Sequence, residues 1–246
     1  RQLVEHGKDR GAADHRHPVV TSQCQGAIAV MGHLHPRHRP VRIAGQHDVA
    51  AAIFFRGPIL WVVFDKPSRV GLPLVALTNN AILSAADQIE EEEFTALAFK
   101  VAPGYFARLD RRRSIWQIDL IREAVLPNGI LPVVREPEAD AGALLHVRSG
   151  HPAGPYRVLD PRVGDSILVT PVMEVGYGVL ESRRYVDFEL MKTLQGVAIV
   201  PFTDQLQVKA APGLVSIGAP AGLHMSDEMA RLLGKNRYPN LRLQAG

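Results

Sequence analysis

The stretch Ala51-Ala52-Ile53-Phe54-Phe55-Arg56-Gly57-Pro58-Ile59-Leu60-Trp61-Val62-Val63-Phe64-Asp65 sets a tight-turn cluster between two β-branched and aromatic runs. Two such runs joined by so short a turn spell a hairpin, so residues 49–55 and 59–64 are read as paired strands. Pro58 is an unusual residue for the tightest primed turns. The wording returns as Arg111-Arg112-Arg113-Ser114-Ile115-Trp116-Gln117-Ile118-Asp119, with the two tryptophans 55 residues apart. A fainter copy is Gly164-Asp165-Ser166-Ile167-Leu168-Val169.

A second echo runs through the chain. Lys100-Val101-Ala102-Pro103-Gly104 reappears as Lys209-Ala210-Ala211-Pro212-Gly213, 109 residues on and close to twice the tryptophan interval. Three degenerate units of about 55 residues account for both echoes, a period suited to stacked hairpins or propeller-like blades. Coincidence stays open, because Pro-Gly after a strand is ordinary turn chemistry.

Working outward, further strands are expected at 74–77, 81–84, 96–101, 115–120, 144–148, 166–175, 184–190, 197–201, 205–210 and 214–217. Most are short and bounded by Gly, Pro, Asn or Asp, which defines an all-β fold class: repeated antiparallel hairpins in a sandwich, barrel or blade-like array. Few short helices are expected. Ser84-Ala85-Ala86-Asp87 reads as the cap of one through 88–92, with acids near the positive end of its dipole. Ser226 caps a second over 229–233, and Gly234 stops it.

Residues 1–47 differ in kind, with seven of the ten histidines and several Arg-Pro and His-Pro steps, and are read as an irregular arm. One strand or short helix is expected near 26–32. The arm is alternatively foreign to the fold, an expression remnant or a mistranslated extension. Residues 48–225 form the β-rich domain and 226–246 a short helix and tail. The Pro-rich stretch 127–142 is the best internal boundary, although one continuous β domain spanning it fits equally well.

Composition narrows the function classes. Of the 246 residues, 46% are hydrophobic, enough for one large core or two modest ones. No run of about 18 apolar residues occurs, so no membrane span is read. The formal charge is +3, but residues 1–47 carry seven Lys/Arg against three Asp/Glu, leaving 21 against 22 in the remainder. The body is neutral and aromatic residues total 6% without basic interleaving, which argues against a nucleic-acid partner. Cys24 is alone, so a disulfide framework or a Cys-rich zinc site is not available. The chain opens on Arg1 and residues 1–14 lack a signal-peptide core, which leaves a fragment or processed form open.

Candidate chemistry is sparse. His15-x-His17 and His33-x-His35-x-x-His38 place imidazoles near enough to share a metal, and His33, His35 and His38 are the candidate ligands. Against them, Pro18, Pro36 and Pro40 break any regular scaffold, and a solvated arm is the simpler reading. Ser149 beside His151 lies in a Gly/Pro turn without an orienting third group. Cys24 lacks any neighbour that would activate its thiol. No cofactor loop is found: Gly176-Tyr177-Gly178 lacks the third glycine, and Gly234-Lys235 lacks the upstream one. Residues 90–93 read as a solvated acidic face and Arg111-Arg112-Arg113 as a charged hairpin tip. Trp61 and Trp116 are either binding platforms or core anchors at equivalent positions of two repeats. Core is the better reading, since Val63 and Ile118 share their strand faces.

The wording from Ala51 through Asp65-Lys66-Pro67 resembles the β-rich segment of proteobacterial envelope proteins that carry tetratricopeptide repeats elsewhere. More distantly, it is similar to the strand pattern of AMIN-type periplasmic modules. Tyr185-Val186-Asp187-Phe188-Glu189-Leu190 and Gln195-Gly196-Val197-Ala198-Ile199-Val200-Pro201 look like the same region, so the resemblance would cover about 49–225. It implies a periplasmic or envelope-associated location and a binding or scaffolding role, with a protein or an envelope polymer as partner. The arm does not read like that family's strands, and no helical repeats follow.

The expectation is therefore a non-enzymatic binding or scaffolding module without a cofactor, using sheet edges or loops. The alternatives are a hydrolase-type enzyme whose site is assembled from loop residues His146, His151, Asp160 and Asp165, or metal binding by the N-terminal histidines.

Overall fold

The computed structural model describes residues 27–31, 40–44, 49–67, 69–70, 81–112, 115–139 and 142–224. Among these there is no helix. The first half supplies β1 (Ala27–Met31), β2 (Pro40–Ala44), β3 (Ala51–Arg56), β4 (Ile59–Phe64), β5 (Arg69–Val70), β6 (Leu83–Glu90), β7 (Thr95–Val101), β8 (Phe106–Arg112) and β9 (Ile115–Ile121). The second half supplies β10 (Gly129–Ile130), β11 (Val133–Ala139), β12 (Gly142–Arg148), β13 (Tyr156–Asp160), β14 (Asp165–Thr170) and β15 (Tyr177–Gly178). It continues with β16 (Arg183–Arg184), β17 (Phe188–Leu190), β18 (Val197–Pro201), β19 (Gln207–Ala211) and β20 (Leu214–Gly218).

Four sheets result, with orders β5-β1-β2-β9-β8, β3-β4-β7-β6, β13-β14-β18-β17-β16 and β11-β12-β20-β19, plus a small parallel pair, β10-β15. Three cores alternate with them as four layers. Ile53, Val62 and Leu97 of the second sheet meet Trp116, Ile118 and Ala107 of the first. The opposite face, with Phe54, Trp61 and Ala98, meets Val158, Ile167 and Ala198 of the third. That sheet's other side, with Leu168, Leu190 and Ile199, packs on Leu145, Val147, Val215 and Ile217 of the fourth.

Burial on both faces explains why the hairpin around Gly57 reads as unbroken hydrophobic runs: all six residues of β4 are buried. Outer strands alternate instead, as in β13 and β19. The first part of the Pro-rich stretch, 127–132, carries the chain from the first pair of sheets to the second, and Val133–Ala139 is already strand β11 of the fourth sheet. Because the middle core takes residues from both halves, they form one packed body along that seam.

Each copy of the first echo is a hairpin. Arg56 pairs with Ile59, Arg112 with Ile115, and Asp160 with Asp165 across their turns. The tryptophans are nevertheless not equivalent, which corrects that part of the repeat reading. Trp61 is the third residue of its strand and Trp116 the second, and a one-residue slip turns a side chain to the opposite face. Both are fully buried, but in different cores. The Trp116 indole N–H donates to the Val49 carbonyl at 3.3 Å, whereas the buried Trp61 N–H has no acceptor among the described residues.

The Pro-Gly echo likewise serves two purposes. Pro103-Gly104 carries the chain from β7 in one sheet to β8 in another, while Pro212-Gly213 is the two-residue loop between β19 and β20. Both glycines sit at positive φ, 79° and 83°, as the third position of a type II turn requires.

Several expected elements are corrected. In place of the expected helix over 88–92 capped by 84–87, Leu83–Glu90 is strand β6, paired with β7 from Leu83↔Val101 to Glu90↔Thr95 with an irregularity near Leu83 and Ala85. So short a helix gains little in water, whereas the free edge of β7 offers a full ladder of backbone bonds. Asp87, Gln88 and Glu90 then mark a charged edge strand. The strand read over 184–190 is two, β16 and β17, with Arg183 facing Leu190 across a tight reversal on which Tyr185 stacks against Phe188 at 4.6 Å. The strand read over 166–175 stops at Thr170, before Pro171. Within the stretch read as an irregular arm, residues 27–31 and 40–44 are strands, and β2 pairs with β9. The expected strand 74–77 and the helix 229–233 lie outside the described residues.

Candidate functional site

The hairpin end of β3 and β4, the turn from β7 to β8, the segment after β9 and the connection from β17 to β18 converge on one apolar cavity of about 450 Å³. Sequence places each wall. Phe55 lies on the face of β3 that looks toward the first core, and Gly57 and Pro58 close the hairpin beside it. Gly57, at φ 57°, occupies a left-handed position that a side chain would strain. Ala102-Pro103-Gly104-Tyr105 forms the facing turn. It is held by Val101 N–H to the Pro58 carbonyl at 2.9 Å and Ala102 N–H to the Ile82 carbonyl at 2.8 Å.

The second half contributes 192–194. Leu194 N–H donates to the Ile53 carbonyl at 2.9 Å and Thr193 N–H to the Val179 carbonyl at 2.9 Å. The Thr193 hydroxyl donates to the Gly196 carbonyl at 2.6 Å and accepts from the Val179 N–H at 2.8 Å. The wall is therefore fixed by backbone geometry rather than by packing alone. Phe106 and Leu126 stand at the cavity 41% and 66% exposed, large apolar side chains left in contact with water. Lys192 is the one charged residue among the described lining, and it is exposed. Tyr105 carries the Arg122 guanidinium over its ring at 5.0 Å, which adds a second positive group behind that wall. A cavity of this size, lined by apolar groups with few polar ones, is the usual form of a small-molecule site.

Arg56, between Phe55 and Gly57, points to the other side of the hairpin. Its Nη1 donates to Asp160 at 2.8 Å and to Asp165 at 2.6 Å, and its Nη2 to Asp165 at 2.5 Å. The Asp165 hydrogen bond, against the opposing effect of burial, raises the guanidinium pKa above its usual value. The same bond outweighs burial at Asp165 and holds its carboxyl below the usual range. These residues form a structural staple: Arg56 comes from the second sheet, and the two aspartates close the β13–β14 hairpin of the third. Arg162 in that hairpin's loop also bridges to Asp87 on β6.

The four residues proposed for a loop-assembled site are thus not brought together as a group. Asp160 and Asp165 meet, but on Arg56. His146 lies on β12 between Leu145 and Val147, both in the third core, so its ring takes the outer face and meets Glu136 at 3.2 Å. His151 is an exposed ring whose Nδ1 meets Glu174 at 2.7 Å. Burial raises the Glu174 carboxyl, and the His151 contact with backbone hydrogen bonds more than offsets this, leaving it below its ordinary value. Ser149 is buried with its hydroxyl unpaired among the described residues.

Among the described residues no three His, Cys, Asp or Glu side chains gather as a metal site. The candidate ligands His33, His35 and His38, and Cys24, lie outside the described residues. No described helix is long and apolar enough to cross a membrane. The reading of the residues missed the cavity because its walls are turns from four separated segments. The nearest signal in the sequence is Pro103-Gly104-Tyr105-Phe106, a turn followed at once by two aromatics. Comparison of the chain with protein-family models, with curated proteins and with solved structures gives no match.

Proposed function

We propose that this chain is a non-catalytic binding module, and that the cavity between the Gly57-Pro58 hairpin, the Pro103-Gly104 turn and the 192–194 wall is where it takes a ligand. The observation that carries the reading is the rigid apolar cavity with Phe106 and Leu126 exposed beside it. Covering the exposed part of these two side chains is worth about 1–2 kcal/mol each, a fraction of the value of full burial, which a bound apolar group recovers. The resemblance of 51–67 and 185–201 to envelope proteins supports a location in a bacterial envelope, with scaffolding contacts to a protein or envelope polymer. Titration with the neutral dye Nile red tests the site: saturable emission lost in Ala102→Trp, which puts an indole into the cavity lining, is the expected result. An absence of saturable binding in the parent protein overturns it.

A further inference from the structure

Resting on that binding reading, we infer that the ligand is an amphipathic carboxylate of the fatty-acid class, its alkyl chain in the cavity and its carboxylate on Lys192. The lining divides by chemistry. Phe55, Val101, Ala107, Val125 and Leu194 offer only apolar surface, which suits a hydrocarbon tail and gives no partner to a polar one. A polar body would leave its own groups unpaired there, at a cost of about 1–3 kcal/mol each.

Charge enters at a single place. Lys192 is exposed, its backbone N–H is tied to the Ser182 hydroxyl at 2.8 Å, and its ammonium has no ion-pair partner among the described residues. Arg56 and Arg108, each adjacent in sequence to a lining residue, are already committed to aspartates, Arg56 to Asp160 and Asp165 and Arg108 to Asp119. Arg122, over the Tyr105 ring, lends the same sign. No aspartate or glutamate is among the described lining residues, so a cationic head group would meet repulsion and an anionic one attraction. An alkyl chain with a terminal carboxylate answers both halves of this pattern.

The test uses calorimetric titration of the full chain with decanoate, decanol and decylammonium. Decanoate is expected to bind most tightly and decylammonium least. Lys192→Ala should weaken decanoate about threefold, the worth of one ion pair at an exposed site, while leaving decanol unchanged; Lys192→Arg should restore it. Leu126→Asp, at an exposed position that the fold does not need, should also weaken decanoate more than decanol. Equal binding of decanoate and decanol, unmoved by Lys192→Ala, overturns the carboxylate assignment and leaves the cavity reading standing. Binding of neither overturns both.

Discussion

Replacing Arg56 with Met keeps the aliphatic stem and removes three charge-assisted hydrogen bonds to Asp160 and Asp165. The two aspartates respond differently. The Asp160 side chain is 3% exposed, so without Arg56 it is a buried carboxylate supported by the Arg162 backbone N–H at 3.1 Å. Breaking a buried pair from one side costs about 3–5 kcal/mol. Asp165, 36% exposed, regains water and adds less than about 1 kcal/mol. Because Arg56 itself keeps 19% exposure and the backbone donor remains, the lower end applies, about 3 kcal/mol in total. At about 2–4 °C per kcal/mol for a chain of this size, Tm should fall by about 6–12 °C. Urea melts of Arg56→Met, Asp160→Asn and the double variant form the cycle, and the double variant should recover about 2 kcal/mol relative to the sum of the singles. A single Arg56→Met variant within about 0.5 kcal/mol of the parent would refute the staple.

Four further outcomes follow from the structure. Burial raises the Asp65 carboxyl despite the Ala50 N–H at 2.8 Å, so the stability it leaves intact below the unfolded pKa of 3.8 is lost as pH rises through the folded value. Asp65→Asn should therefore be more stable than the parent near about pH 7, with the gap closing in melts below about pH 4. Asp165 has the opposite sign: its contribution is present above 3.8 and lost as pH falls through its lowered value, so Asp165→Asn should flatten the acid limb of the stability curve. Gln195→Leu strands the Gly176 N–H and removes one of the two donors to each of the Val172 and Glu174 carbonyls, which keep the Ala51 and Tyr177 N–H groups, and should cost about 2 kcal/mol in urea melts. Gly178→Ala drives a Cβ into the Thr193 carbonyl behind the cavity wall and should cost about 1–3 kcal/mol while weakening Nile red binding.

The inner strands were legible because their local chemistry and their final environment agree. Residues 59–64 are apolar without interruption, and they are buried on both sides. Strands on the outer layers were harder: Phe-Ala-Arg-Leu-Asp-Arg-Arg of β8 and Val-Val-Arg-Glu-Pro-Glu-Ala of β11 carry charges that read as loops. Their strand state comes from pairing with the strand that follows each of them, β9 for β8 and β12 for β11. At β6, local capping signals pointed to a helix and a neighbouring strand edge prevailed. The hairpin echoes gave the turns but not the side-chain faces, since one residue of register separates the environments of Trp61 and Trp116. The cavity was least legible, because four turns meet in it and none carries a motif alone.

The layered arrangement also dictates where recognition can evolve in this protein. A strand such as β4, committed to a different core on each side, has no face left on which a ligand could be accommodated or a side chain varied without structural penalty. What remains of the inner layers is their rims, the loops at which strands reverse. Those loops are free to change sequence while the interior stays constant, so diversity among chains of this architecture should concentrate around the 57–58, 102–105 and 192–194 reversals, with the sheets acting as an invariant frame.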